Sequence, residues 1–137
     1  MDSFGVFHVS ASALAAQRQR MNVIASNMAN AQSTRTAGGG PYRRQDVIFS
    51  TETPDAEQPG LQGVTVQGIA RDNSPFKMIY DPGHPDADKD GFVAMPNVNI
   101  IEEMVNMMMA TRAYEASVTA FNMSKTMFMK TLELGRG

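Results

Sequence analysis

Residues 100–134 leave the chain few options. Ile100, Met104, Met107, Thr111, Tyr114, Val118, Phe121, Lys125, Phe128 and Leu132 follow one another at spacings of four and three, and eight of the ten are apolar. That repeat is the seam of a long helix of coiled-coil type. Asn99 is placed to cap its start, and Glu102 falls at capping-box spacing. Glu102 and Glu103 also sit at the positive end of the helix dipole. Lys130 and Gly135 fit the other end. At 1.5 Å per residue the helix is about 52 Å long.

A second helix is expected over residues 4–31. Phe7, Ala11, Leu14, Arg18, Met21, Ala25 and Met28 repeat at the same spacing, and six of the seven are apolar. Asp2 or Ser3 can cap its start, and Asn27, Asn30, Ser33 and Thr34 mark its end. This helix spans about 42 Å. A compact globule of 137 residues is about 35–40 Å across. The two helices are therefore too long to be covered by the rest of the chain. They must pair with each other and also with other chains. Met104 to Ala110 is apolar on more than one face, as in a helix buried on several sides. Seven of the twelve Met lie in residues 97–137, where a flexible side chain can fill non-identical contacts.

Between the helices the pattern breaks. Ala37-Gly38-Gly39-Gly40-Pro41 ends any helix. Strands are expected at residues 44–50, around Val64, Val66 and Ile69, and at residues 76–80. Residues 53–60, with Pro54 and Pro59, read as a loop. Residues 81–96, rich in Pro, Gly and Asp, read as irregular. The middle can form a small antiparallel sheet with little core of its own.

Composition narrows the functional classes. Net charge is −2, so the chain as a whole has no nucleic-acid footprint. Charge is uneven: residues 1–50 carry five Arg against two acids, and residues 51–96 carry eight acids against three bases. There is no Cys, which excludes disulfides and Cys-based zinc sites. No apolar run approaches the roughly 20 residues of a membrane span, and the start Met1-Asp2-Ser3 does not read as a cleavable signal.

Site motifs are sparse. Asp86-Ala87-Asp88-Lys89-Asp90-Gly91 matches the first half of a calcium loop. Its twelfth position is Asn97 instead of Glu, and Pro82 and Pro85 stand where a helix should precede it. We read it as a turn in which Asp side chains accept from nearby N–H groups, with Asp86, Asp88 and Asp90 as a weak metal candidate. Gly38–Gly40 lacks the Lys and Ser/Thr of a phosphate loop. His8 and His84 lie on different elements beside no nucleophile, so no catalytic site and no cofactor are expected. Arg18 and Arg20 read as a solvated face that could meet acids on a partner. The acidic middle argues against Arg43-Arg44 as a nucleic-acid patch.

Several of these residues also resemble a known family. Ala25-Ser26-Asn27-Met28-Ala29-Asn30-Ala31 is similar to the signature near the N-terminus of flagellar rod, hook and hook-associated proteins, with Met28 where Ile is commoner. Ser33-Thr34-Arg35-Thr36 with Gly39-Gly40-Pro41-Tyr42-Arg43-Arg44 resembles the proximal-rod branch in particular. So do Tyr80 to Gly91, Met95-Pro96-Asn97-Val98, Glu103 to Met108, and Arg112-Ala113-Tyr114-Glu115-Ala116. The resemblance implies a subunit of the rod, the drive shaft crossing the periplasm in the flagellar basal body. It implies export through the flagellar type III apparatus without a cleaved signal. It implies contacts with copies of itself, with the rod proteins FlgB, FlgF and FlgG, and with the adaptor FliE, and neither nucleic acid nor stable membrane insertion. In such proteins the terminal segments are often disordered before assembly and pair as helices on assembly.

The expected fold is mainly α with small β: long N- and C-terminal helices in a coiled-coil-like pair, with short antiparallel strands and irregular loops between them. Residues 1–33 and 97–137 are the assembly helices, and residues 34–96 the middle region. The expected assembly residues at the N-terminal end are Phe7, Ala11, Leu14, Met21, Ile24, Ala25, Asn27, Met28 and Asn30. At the C-terminal end they are Ile100, Met104, Met107, Met108, Tyr114, Val118, Phe121, Phe128 and Leu132. The competing readings are a secreted coiled-coil adaptor of a related injection system and a weak calcium module at Asp86–Gly91.

Overall fold

The computed structural model describes the whole chain except residues 1, 2, 54–56, 58 and 59. The expected cap Asp2 and the loop prolines Pro54 and Pro59 lie outside the described residues, as does the side chain of Ser3. Six elements follow in order: α1 (Ser3–Ala29), β1 (Gln45–Glu52), β2 (Gly63–Arg71), β3 (Lys77–Tyr80), β4 (Phe92–Met95) and α2 (Ile100–Gly135). The mainly helical class with a small β middle is as expected. The β part differs in two respects: it is two separate two-stranded antiparallel sheets, β1–β2 and β3–β4, and β4 falls in a stretch read as irregular.

Local chemistry explains the differences. The Asp88 carboxylate accepts the amides of Asp90 and Phe92, both at 2.9 Å. Gly91 then takes φ +84°, a left-handed conformation that suits glycine. The chain reverses, and Phe92 comes opposite Tyr80 with their rings 5.3 Å apart. The turn chemistry hides a strand inside an acidic, proline-rich stretch. At the end of α1, the Asn30 side chain donates to the Ser26 carbonyl at 2.9 Å. The Asn30 amide bonds the same carbonyl at 3.0 Å, the next amide, Ala31, turns to Met28 instead of continuing the helical pattern, and α1 stops at Ala29, two residues before the expected end. At the start of α2, Asn99 caps as expected, its side chain accepting from Ile101 and Glu102. Gly135 is the last residue of α2 instead of its stop signal.

Helices α1 and α2 lie side by side and antiparallel. The Phe7 ring sits 5.3 Å from Phe121 and 5.9 Å from Phe128. Thr111 donates to the Met21 sulfur at 3.7 Å, and Asn27 meets Glu103. A second face of α1 packs on β1–β2. There the Ser12 hydroxyl accepts the Val64 amide at 3.0 Å. A Cβ on Gly63 would come within 2.9 Å of that hydroxyl, so only glycine permits the approach. Gln67 is the extra residue of a bulge in β2, beside which Ile48 pairs with Gly68 and Phe49 with Val66. Ile69, expected to alternate inward, is 48% exposed. Among the described residues the β3–β4 ribbon packs against no other helix or strand. Its anchors are the loops and the buried Val93.

The core is thin. The buried apolar residues are Ala16, Val23, Ile24, Val93 and Ala110, and two of the three largest fully buried side chains, Glu103 and Asn27, are polar. Large apolar side chains outside this core are numerous, and most of them lie along α2.

Candidate assembly interface

The helix pair is joined by a buried polar node. Asn27 and Glu103 are each fully buried. A buried polar group is tolerated when its bonds are satisfied, and these are. The Asn27 amide nitrogen donates to the Gln45 carbonyl at 2.7 Å and to Glu103 Oε2 at 3.1 Å. Its oxygen accepts from the Gln45 amide at 3.0 Å and from the Tyr42 hydroxyl at 2.9 Å. The other Glu103 oxygen accepts from Arg44 Nε at 2.5 Å. Burial works against the Arg44 charge, but the Glu103 hydrogen bond and the charges of Glu103, Asp46 and Asp72 outweigh it and raise its pKa. One node therefore ties α1, the start of β1 and the first turn of α2 together.

Arg44 is held from its backbone as well. Its amide donates to Asn97 Oδ1 at 2.7 Å, while the Asn97 amide group donates to the carbonyls of Asp72 and Ser74. Asn97, the twelfth position of the calcium-like motif, is thus a structural clasp. Asp86 accepts from Thr34 at 2.7 Å and pairs with Arg35. These two contacts, the Thr34 bond first, hold its pKa below the usual aspartate value. Asp88 serves the turn, as the turn reading expected. Among the described residues no group of three or more His, Cys, Asp or Glu is arranged to hold a metal ion. Arg43 lies over the Phe76 ring at 4.3 Å and donates to the Asp72 carbonyl.

The helix seam differs from the one read off the apolar repeat. On α2 the inward positions are Glu103, Met107, Ala110, Tyr114, Ser117, Phe121, Ser124 and Phe128, each buried or half-buried. They too are spaced by four and three, with small residues alternating with large ones in between. The expected seam shares Met107, Tyr114, Phe121 and Phe128 with this set. Val118 and Thr111 flank it half-buried, whereas Ile100, Met104, Lys125 and Leu132 are exposed. On α1, Phe7, Leu14, Met21, Met28 and Asn30 are half-buried, Ile24 and Asn27 are buried, and Ala11 and Ala25 are exposed. Small side chains at Ala110, Ser117 and Ser124 let the helices approach closely. The apolar repeat favoured larger residues, which the fold leaves facing outward.

The expected assembly residues therefore fall into two groups. One group is buried or half-buried within the chain, with Phe7, Met21, Asn27, Phe121 and Phe128 in contact across the helix pair. The other, Ile100, Met104, Met108 and Leu132 on α2 with Ala11 and Ala25 on α1, is open. The structure adds open residues that the periodicity missed: Ile101, Val105, Met109, Met123, Met127, Met129 and Leu134. Their signal in the sequence was the all-round apolar character of α2 rather than any single repeat. Exposed apolar side chains of this number along one helix make its outer side a candidate surface for a partner. Among the described residues no helix is long and apolar enough to cross a membrane.

Known proteins place this geometry. Residues 7–35 match a family described as "Flagella basal body rod protein", and residues 89–134 match "Flagellar basal body rod FlgEFG protein C-terminal". The two matches cover α1 and α2, the elements that carry the open faces. Over 100% of both chains the sequence is 45% identical to the flagellar basal-body rod protein FlgC of Borreliella burgdorferi. It is 43% identical to that of Salmonella typhimurium and 42% identical to that of Bacillus subtilis, over 99% of this chain and 100% of each relative. With rod-protein patterns on both helices and full-length kinship to proteins of one name, the chain belongs to the flagellar basal-body rod protein FlgC family.

Proposed function

We propose that the chain is a structural subunit of the flagellar basal-body rod whose role is to pack. The observation that carries this reading is the unpartnered apolar outer face of α2 on a member of the FlgC family. A subunit with different open faces on its two helices makes heterologous contacts, and such contacts propagate into a tube when they do not close a ring. Dense helix packing gives that tube the stiffness a drive shaft needs.

In this reading residues 1–33 and 97–137 are the assembly segments and residues 34–96 are the spacer that the polar node fixes to both. The neighbours are other copies, FlgB, FlgF and FlgG along the rod, and FliE toward the membrane. The rod places the chain in the periplasm, reached through the flagellar type III export apparatus. The chain has no catalytic task, and its buried ionisable groups serve cohesion.

The test is location and partners. Basal bodies purified from cells producing the tagged chain should contain it together with the rod proteins, and deletion of its gene should abolish swimming. Its absence from purified basal bodies would sink the proposal.

A further inference from the structure

Helix α1 has a third face that is open to solvent. Ala11, Ala15, Arg18, Asn22, Ala25 and Ala29 are all exposed and repeat at spacings of four and three. The edge of β1–β2 rises beside this face, so the surface is a trough: Ala15, Arg18 and Asn22 line it with Gln45 and Ile69 of the sheet. Among the described residues Arg18 makes no ion pair. The outer face of α2 has the complementary character. Met108 and Met123 project there, 59% and 61% exposed. Between them lies the exposed Glu115, which also makes no ion pair among the described residues.

The axial levels decide what fills the trough. Within the chain Met21 lies level with Thr111. An antiparallel partner gains one residue for each residue lost, so Arg18 is level with about residue 114. A second copy standing beside the first, with little axial shift, would therefore bring its Glu115 to the height of Arg18. One heptad to one side, Ala25 would meet Met108 of that copy; one heptad to the other, Ala11 would come level with Asn122, with Met123 beside it. Bulky flexible methionines would lie over alanines, and opposite charges would meet between them. Such pairing fixes register and suppresses wrong neighbours more than it adds affinity.

We propose that the outer face of α2 docks antiparallel into the α1 trough of a second copy of this chain, with Arg18 against Glu115 setting the axial register. The inference rests on the rod-subunit reading and names one contact within it. The charge pair makes it testable by reversal. Arg18→Glu and Glu115→Arg, both at exposed positions that leave the subunit folded, should each lower incorporation into purified basal bodies by about tenfold. The double reversal should restore incorporation to near the parent level. The chain has no cysteine, so Ala25→Cys with Met108→Cys should give disulfide-linked dimers in oxidised basal bodies, and either substitution alone should not. Reversals that incorporate like the parent, a double variant that stays excluded, or a cysteine pair that gives no dimer would each overturn the contact while the parent remains in the rod. A parent chain missing from basal bodies would instead overturn the rod reading, and this contact with it.

Discussion

Asn27 and Glu103 stand 76 residues apart in sequence, and their side chains meet at 3.1 Å in a site from which water is excluded. Asn27 also satisfies both backbone groups of Gln45 and accepts from Tyr42. Asn27→Ala removes all four bonds and leaves buried partners unsatisfied. An unsatisfied buried group costs about 1–3 kcal/mol, so the variant should lose about 3 kcal/mol or more of stability in urea unfolding. A loss under about 0.5 kcal/mol would mean that water replaces the side chain and that the node is not sealed.

At the opposite end of the pair, Phe7 lies against two rings of α2. The ring is half-buried, so Phe7→Ala should cost about 2 kcal/mol, below the range for a fully buried aromatic. The loss should be local. Hydrogen exchange should speed up in the first turns of α1 and near Phe121 and Phe128, while amides beside Asn27 keep their protection.

These two sites show what the sequence could reveal. The helices were legible because the heptad repeat and the Asn99 cap are local signals. The inward face of α2 was only half legible. A repeat chosen for large apolar residues passes over Ala110, Ser117 and Ser124, yet small residues are what close helix contact requires. Glu103 reads from the sequence only as a partner of the helix dipole, whereas its carboxylate is fully buried in the polar node. No periodicity pairs Asn27 with a group 76 positions away. Asn27 stood out through the family signature, and Glu103, Arg44 and Asn97 acquire their roles through the tertiary fold. Strand β4 was hidden because its cause is a side-chain turn at Asp88 and not a run of strand-forming residues.

Acid should release the connector between α1 and the sheet. The Thr34 hydrogen bond, then Arg35, holds the Asp86 pKa below the usual aspartate value. A depressed folded pKa means that the unfolded chain binds the proton more readily. The contribution is therefore complete above the usual aspartate pKa and is lost as pH falls through the lower, folded value. The Ser74 bonds to Asp72 act in the same direction. An NMR titration of the Arg35 Nε–H signal should stay flat through neutral pH and shift below the usual aspartate range. Asp86→Asn should weaken the dependence on pH. A midpoint above the usual aspartate value would contradict the paired geometry.

Gly91 sets the hairpin between β3 and β4. Its φ is +84°, and a Cβ there would lie 2.9 Å from Tyr80 Cε2 and 3.1 Å from Pro82 Cβ. Gly91→Ala therefore combines backbone strain with a clash, at a cost of about 1–3 kcal/mol. The ribbon packs on no other element among the described residues. The damage should thus appear as faster exchange at Phe92–Met95, with the unfolding midpoint of the helix pair unchanged. Equal protection in parent and variant would mean that the turn accommodates a methyl group.

Two carboxylates introduced on α2 separate cohesion of the subunit from assembly. Met108 is 59% exposed, so Met108→Asp leaves the isolated chain folded. In an assembled rod the same position would bury an unpaired charge, at a cost of several kcal/mol. Phe121 faces inward, with its ring 5.3 Å from Phe7. Phe121→Asp therefore weakens the chain's own helix pair before any partner is met. Urea unfolding of the isolated chain should show little change for Met108→Asp and a loss of about 2–4 kcal/mol for Phe121→Asp. Motility should fail in both. A swimming Met108→Asp strain would show that the outer face of α2 stays open to water in the rod, and the packing role assigned to that face would fall.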